Sequence, residues 1–135
     1  MPPQIYQSSA IPVREDLVCM VSSRSRQRWV FPKGRIEARQ SASEAAIVET
    51  WEEAGLLGVI TGDTVGSYVY EKYNREHHVT VYVMKVVDER ADWPERGERQ
   101  RQWITPAEAI RRVDEPELKA ILRTVFPDLI ATRDV

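Results

Sequence analysis

Cysteine is almost absent from this chain: Cys19 is the only one in 135 residues, so no intramolecular disulfide can form. It lies in the apolar run LVCMV, where a small buried hydrophobe is the default role, and one reduced thiol suits a cytoplasmic protein. Long hydrophobic runs are also missing. No stretch approaches the length of a membrane-spanning helix, and the opening MPPQIYQSSAIPV has no basic start followed by an unbroken apolar run. Neither secretion nor membrane insertion is therefore expected. Charge of one sign is equally scarce. Nineteen basic against 21 acidic residues leave a net charge of −2, too little to build a field that would gather a nucleic-acid polymer. Repeats, long linkers and low-complexity tracts are absent, which predicts one domain over residues 1–135. The two histidines, His77 and His78, are adjacent, and no Ser-His-Asp set stands out.

What is present is alternating strand and helix patterning. Short strands are predicted near residues 3–9, 17–22 and 29–31, followed by a loop and a helix over 42–54. β-rich runs follow at about 58–71 and 77–88, the second dominated by β-branched and aromatic residues in VTVYVMKVV. A hairpin through KYNREHH joins them. WITPAEAI then reads as a strand entering a helix, with Thr105 as N-cap, Pro106 at the first helical position and Glu108 at the third. ELKAILRTV closes the pattern as an amphipathic helix that stops near Pro127.

The helix over 42–54 carries the most chemistry. Ser41 and Glu44 have capping-box spacing, and Gly55 is placed to terminate the helix. Ile47, Thr50, Trp51 and Ala54 recur at i, i+3, i+4, i+7 and predict the buried face. Glu49, Glu52 and Glu53 centre on the opposite side. A solvated acidic face is the ordinary meaning of such a pattern. Here, however, Glu49 and Glu53 repel at i, i+4 by about 0.2–0.5 kcal/mol, and Ala45, Val48 and Leu56 offer no neutralising charge. The helix C-terminus adds about 0.3–1 kcal/mol against each exposed carboxylate. A hard dication such as Mg²⁺ reverses both penalties.

These residues resemble the Nudix hydrolase (MutT-like) signature: Gly, five residues, Glu, seven residues, Arg-Glu, an aliphatic, one residue, Glu-Glu, one residue, Gly, an aliphatic. Gly34, Glu49, Glu52, Glu53, Gly55 and Leu56 stand in register without a gap. Gln40, Val48 and Thr50 depart from it, replacing a Glu, an Arg and an aliphatic. The first two remove a matched ion pair together, so no buried charge is stranded and packing is expected to hold the loop. VSSRSRQRWVFPKGRIE, YEKYNREHHVTVYVM and DWPERGERQRQWITPAEAI look like the diphosphoinositol polyphosphate phosphohydrolase branch, which also takes diadenosine polyphosphates. The resemblance implies an α/β Nudix fold, a mixed β-sheet sandwiched between α-helices. It further implies a metal-dependent pyrophosphohydrolase using Mg²⁺, with Mn²⁺ possible in its place. Glu49 and Glu53 would be the principal metal ligands, with Glu52 and the Lys33 backbone carbonyl beside them. Glu52 or Glu53 would activate the attacking water. The alternative is a Nudix-fold nucleotide sensor that has lost turnover, for which the three departures argue.

Local charge supplies a place for the substrate, a small-molecule polyphosphate. Arg24, Arg26, Arg28, Lys33, Arg35 and Arg39 precede the acidic helix against the single acid Glu37, and such cations hold phosphate oxygens while a metal bridges them. The resemblance favours Arg24 and Lys33. Arg26, Arg35, Arg75 and Arg99 are further substrate-binding candidates, with Lys72, Arg101, His77 and His78 close by. Glu98 is either an additional ligand or an exposed loop acid. Tyr68, Tyr70 and Tyr73 either stack on a base or form a sheet face. Monomer and homodimer both fit the sequence.

Overall fold

The computed structural model describes residues 3–131. Its centre is a pair of long parallel strands, β1 (Gln4–Arg14) and β7 (Arg75–Glu89), in register from Gln4 opposite Glu76 to Val13 opposite Lys85. Strands in such a pair need cover on both faces, and the sequence provides for it by alternation. Ile11, Val18 and Met20 point into one core while Ala10, Cys19 and Val21 point into the other, all fully buried. Helix α1 (Ala42–Ala54) covers the second core through Ala46 and Ala54. Helices α2 (Pro106–Arg112) and α3 (Pro116–Val125) cover the first through Ala109, Leu118, Ile121 and Leu122. A short α4 (Pro127–Ala131) follows. The mixed sheet between helices is as the sequence predicts.

The remaining strands complete one sheet. β2 (Leu17–Ser22) pairs with β1, with β3 (Trp29–Val30) and with β8 (Arg101–Ile104), and β5 (Leu56–Val59) and β6 (Gly66–Lys72) both pair with β7. The run read as one strand over 58–71 is therefore two. Fifteen residues make β7 long enough to pair β6 along its first half and β5 along its second. β4 (Lys33–Arg35) forms where a loop was expected, because Gln7, Ser8 and Ser9 of β1 offer it a ladder. The hairpin through KYNREHH forms with Tyr73 and Asn74 at positive φ, 53° and 58°, as a two-residue turn requires. Thr105 caps α2 by accepting from the Glu108 amide.

Helix α1 keeps its caps but not its predicted face. The Ser41–Glu44 capping box and left-handed Gly55 are both present. The buried residues are Ala45, Ala46, Thr50, Glu53 and Ala54, a face rotated roughly a quarter turn from the predicted stripe toward the carboxylates. Ile47 and Trp51 are only partly covered. The helix packs on β1, β2, β4, β5 and β7 at once, so the small residues and Glu53 face inward. Thr50 tolerates burial by donating to the Ala46 carbonyl at 2.7 Å. Val48 is 39% exposed, so the missing signature arginine leaves no hole. Leu122→Ala is expected to cost about 2–5 kcal/mol in urea unfolding, while Val48→Arg should change stability by less than about 0.5 kcal/mol.

Candidate active site

Two of the three box carboxylates are held against strand β4. Glu49 lies so close to Gly34 that a side chain there would collide with its carboxylate, and Glu53 Oε1 accepts from the Lys33 amide at 3.2 Å. The loop between them is not braced by an ion pair. Gln40 Oε1 accepts from the Glu37 amide at 3.0 Å and the Gln40 amide donates back to the Glu37 carbonyl, so a carboxamide closes the turn where the signature has a charge.

The C-terminus of α1 is capped from a distance by the segment that leads into β8 and by the first residue of that strand. Trp93 Nε1 donates to the Glu53 carbonyl at 3.1 Å and Arg101 Nη1 to that of Ala54 at 2.8 Å. The Glu95 amide donates to the Glu52 carbonyl and the Arg90 amide to that of Gly55, both at 3.0 Å. Arg101 stacks on the Trp93 ring at 4.2 Å and pairs with Glu89 at 3.0 Å. This stack also presses on Gly55, whose φ of +68° and missing Cβ leave room for it. The carbonyls at this helix end, which have no partner within the helix, are thus satisfied by tertiary contacts.

Arg99 is the nearest cation to the acids. Its side chain, 10% exposed, lies 3.6 Å from Glu53, donates to Glu95 at 2.8 Å and donates to the Ser22 carbonyl at 3.1 Å. Glu95 also faces Arg24 at 3.5 Å. Sequence reasoning missed Glu95 and Trp93, since neither follows a spacing rule relative to α1. Glu98, the acid considered from this loop, stays half-exposed beside Arg24.

Burial, then the charges of Glu52, Glu95 and Glu37, pushes the Glu49 carboxyl up to about 7 against the pull of Arg99. Burial also pushes Glu53 up to about 7, outweighing Arg99 and the Lys33 amide. An ion pair normally lowers a carboxyl, but Arg99 lies closer to Glu95 than to Glu53 and serves both. The donors are all oxygen: Glu49, Glu52, Glu53, Glu95 and the peptide at Lys33. They suit a hard dication in type and in their deficit of positive charge. Among the described residues, no three His, Cys, Asp or Glu side chains are gathered around a common point where an ion would sit. Glu49, Glu52 and Glu53 are not brought together as a preformed triad.

Beside the acids opens a cavity of about 720 Å³ lined by Arg24, Arg28, Lys33, Lys72 and Arg99, with Glu71 and Glu115 as its acids and Trp29, Phe31, Tyr68, Tyr70 and Tyr73 as its aromatic wall. Burial holds the Lys33 amine below its usual range, helped by Arg28 and Lys72 and opposed by Glu53. Of the predicted substrate-binding residues, Arg24, Lys33 and Arg99 line this cavity. The other three lie outside it. Arg26, at φ 61°, turns to the Gly97 carbonyl. Arg35 is exposed at the end of β4, and Arg75 is exposed beyond the hairpin turn. His77 stacks on Tyr70 at 4.6 Å and His78 on Tyr6 at 5.2 Å, which are packing roles.

Helices on both faces of a mixed sheet, with carboxylates at one helix end joined to a cationic cavity through Lys33 and Arg99, define an α/β protein of the Nudix type. The NUDIX domain matches residues 7–129, and the chain belongs to that family. It is 34% identical to Nudix hydrolase 16, mitochondrial, of Arabidopsis thaliana over 113 residues, 78% of this chain and 62% of that one. It is 36% identical to diphosphoinositol polyphosphate phosphohydrolase 3-beta of Bos taurus over 101 residues, 73% of this chain and 60% of that one. The chain spans only about half to three-fifths of the length of the curated relatives it matches. Its fold matches a C. elegans Ap4A hydrolase binary complex with TM-score 0.76 at 23% identity, covering 94% of this chain and 98% of the other.

The raised carboxyls give a pH signature. A carboxyl that holds its proton more tightly when folded stabilises the fold fully below about 4.5 and loses that contribution as pH rises through about 7. Glu44, Glu89 and Glu108 are lowered instead, and their opposite contribution is lost only as pH falls below about 4.5. In EDTA the melting temperature should therefore fall between pH 5 and 8. Added Mg²⁺ should restore it at pH 8 and do little at pH 5. A melting temperature in EDTA that rises over that window would contradict the assignment.

Proposed function

We infer that this chain is a divalent-metal-dependent hydrolase of phosphoanhydrides, cleaving a nucleoside diphosphate linked to another moiety. The observation that carries the reading is the joining of two environments: Arg99 and Lys33 each touch Glu53 and each line the cationic cavity. Acids for a metal and cations for phosphates therefore share a border. Glu49 and Glu53 would hold the metal, Mg²⁺ or Mn²⁺, with Glu52 and the Lys33 carbonyl as further oxygen donors. When bound, the metal neutralises the phosphoryl oxygens and makes water a stronger acid. A carboxylate oxygen of Glu52 or Glu53 takes the proton of the attacking water. Arg24 and Arg99 grip phosphate oxygens with planar guanidinium groups, and Lys33 adds a point charge. Water attacks phosphorus directly, with no covalent enzyme intermediate.

Diadenosine polyphosphates and diphosphoinositol polyphosphates are the favoured substrates. The names of relatives and structural neighbours support both, as does a cavity with five cations against two acids. No helix among the described residues is long and apolar enough to cross a membrane. A cytoplasmic location is compatible with the free thiol of Cys19, while Arabidopsis relatives carry mitochondrial names.

A binding module without turnover is the second reading. Its support is the contact of Arg99 with Glu53 together with the ungathered carboxylates. Phosphate release from a panel of polyphosphates in Mg²⁺ and in EDTA separates the two readings. The hydrolase should act only with metal. Glu49→Gln and Glu53→Gln should each slow it by about 10²-fold or more. Glutamine mimics the protonated carboxyl in shape, so the urea midpoint should hold. Full activity in both variants would overturn the assignment.

A further inference from the structure

One carboxylate outside the cavity is tied into the site without lining it. Glu89 ends β7, and three donors from two other strands converge on its two oxygens. Oε1 accepts from Arg14 Nη1 at 2.7 Å and from Trp103 Nε1 at 3.0 Å, and Oε2 pairs with Arg101 Nη2 at 3.0 Å. Arg101 carries that order onward to helix α1. Its other terminal nitrogen, Nη1, reaches the Ala54 carbonyl at 2.8 Å, and its face rests on the Trp93 ring, whose N–H caps Glu53. A guanidinium is planar, so holding one Nη fixes the direction of the other and the tilt of the face. The frame is fixed too, because the Arg90 amide, next along the chain from Glu89, donates to the Gly55 carbonyl at 3.0 Å.

We propose that Glu89 is a positioning residue for the metal-binding acids, acting through Arg101 and Trp93 to hold the Glu53 peptide and so the carboxylate that faces Lys33. The proposal rests on the hydrolase reading for the use of those acids. An exposed ion pair would contribute little, but Arg101 is only 15% exposed and Glu89 is its sole carboxylate partner among the described residues. With Glu89 gone, nothing but water directs Nη2, the guanidinium turns, and both donors leave the helix end. The acids then lose their set height above β4, while Arg24, Arg28 and Arg99 keep their own partners, Glu95 and Glu115.

Mn²⁺ binding followed by electron paramagnetic resonance tests this without turnover. Charge alone predicts opposite signs: loss of Glu89 weakens a nearby cation site and loss of Arg101 strengthens it. Positioning predicts one sign. Glu89→Met and Arg101→Met should each weaken Mn²⁺ by about tenfold, and the double variant by no more than either alone. Arg14→Met removes another partner of Glu89 but leaves Arg101 in place, and should change affinity by less than about twofold. Tighter or unchanged binding by Arg101→Met, losses that multiply in the double variant, or an equal loss with Arg14→Met would overturn the proposal. Amide hydrogen exchange in EDTA reads the same contact without metal. The Lys33 amide, bonded to Glu53, should exchange about tenfold faster in Glu89→Met and Arg101→Met but not in Arg14→Met. Equal acceleration across the core strands would mean general loosening and would equally sink the role. Absence of Mn²⁺ binding by the unaltered protein, with the Lys33 difference intact, would overturn the metal-dependent hydrolase reading and leave Glu89 as the residue that positions Glu53.

Discussion

The site depends on how the end of one helix is held. Helix α1 finishes with carboxylates at 49, 52 and 53, where its own carbonyls already concentrate negative charge. An isolated helix of this sequence would fray there. The segment from Arg90 to Arg101 prevents it by bringing two amides, an indole N–H and a guanidinium to four successive carbonyls, Glu52 through Gly55. Those bonds stop the last turn from unwinding and set the height of Glu53 against Lys33. Gly34 and Gly55 are the two places where a side chain would break the assembly, one beneath Glu49 and one beneath the Trp93–Arg101 stack.

The same segment carries Glu95 and Arg99, so the clamp on the helix is also the wall between acids and cavity. Arg99 touches Glu53, Glu95 and the end of β2. Like Lys33, it both touches Glu53 and lines the cavity, and so joins the acids to the cationic wall. The departures from the family signature sit away from this junction. Gln40 closes its own turn, Val48 faces solvent, and Thr50 satisfies its hydroxyl within the helix. Each is locally compensated, which accounts for a recognisable fold without the usual Glu–Arg pair.

Much of the fold was legible because it is encoded in short range. The capping box at Ser41 and Glu44, the left-handed Gly55, Thr105 before Pro106 and the KYNREHH turn are each decided within a few residues. Alternation along β1 and β2 likewise sends neighbouring side chains into opposite cores. Short strands were harder to see. β4 exists only because β1 lies beside it, and β5 and β6 divide one apolar run because β7 can pair with both. The buried side of α1 differs from the stripe for a related reason: periodicity averages hydrophobicity, whereas five strands pack against this helix and draw Glu53 inward.

For the site, spacing along the chain brings Gly34, Glu49, Glu52, Glu53 and Gly55 into register with the family signature, and a helix converts that spacing into neighbouring positions for the acids. Which cations lie near them depends instead on the packing of distant segments. Arg24, Lys33 and Arg99 reach the cavity while Arg26, Arg35 and Arg75 do not, although all six look alike along the chain. Glu95 and Trp93 joined the site without any signal of spacing. The physical reason is range: helix geometry carries order over three or four residues, whereas the approach of residue 99 to residue 53 depends on where a whole sheet places its loops.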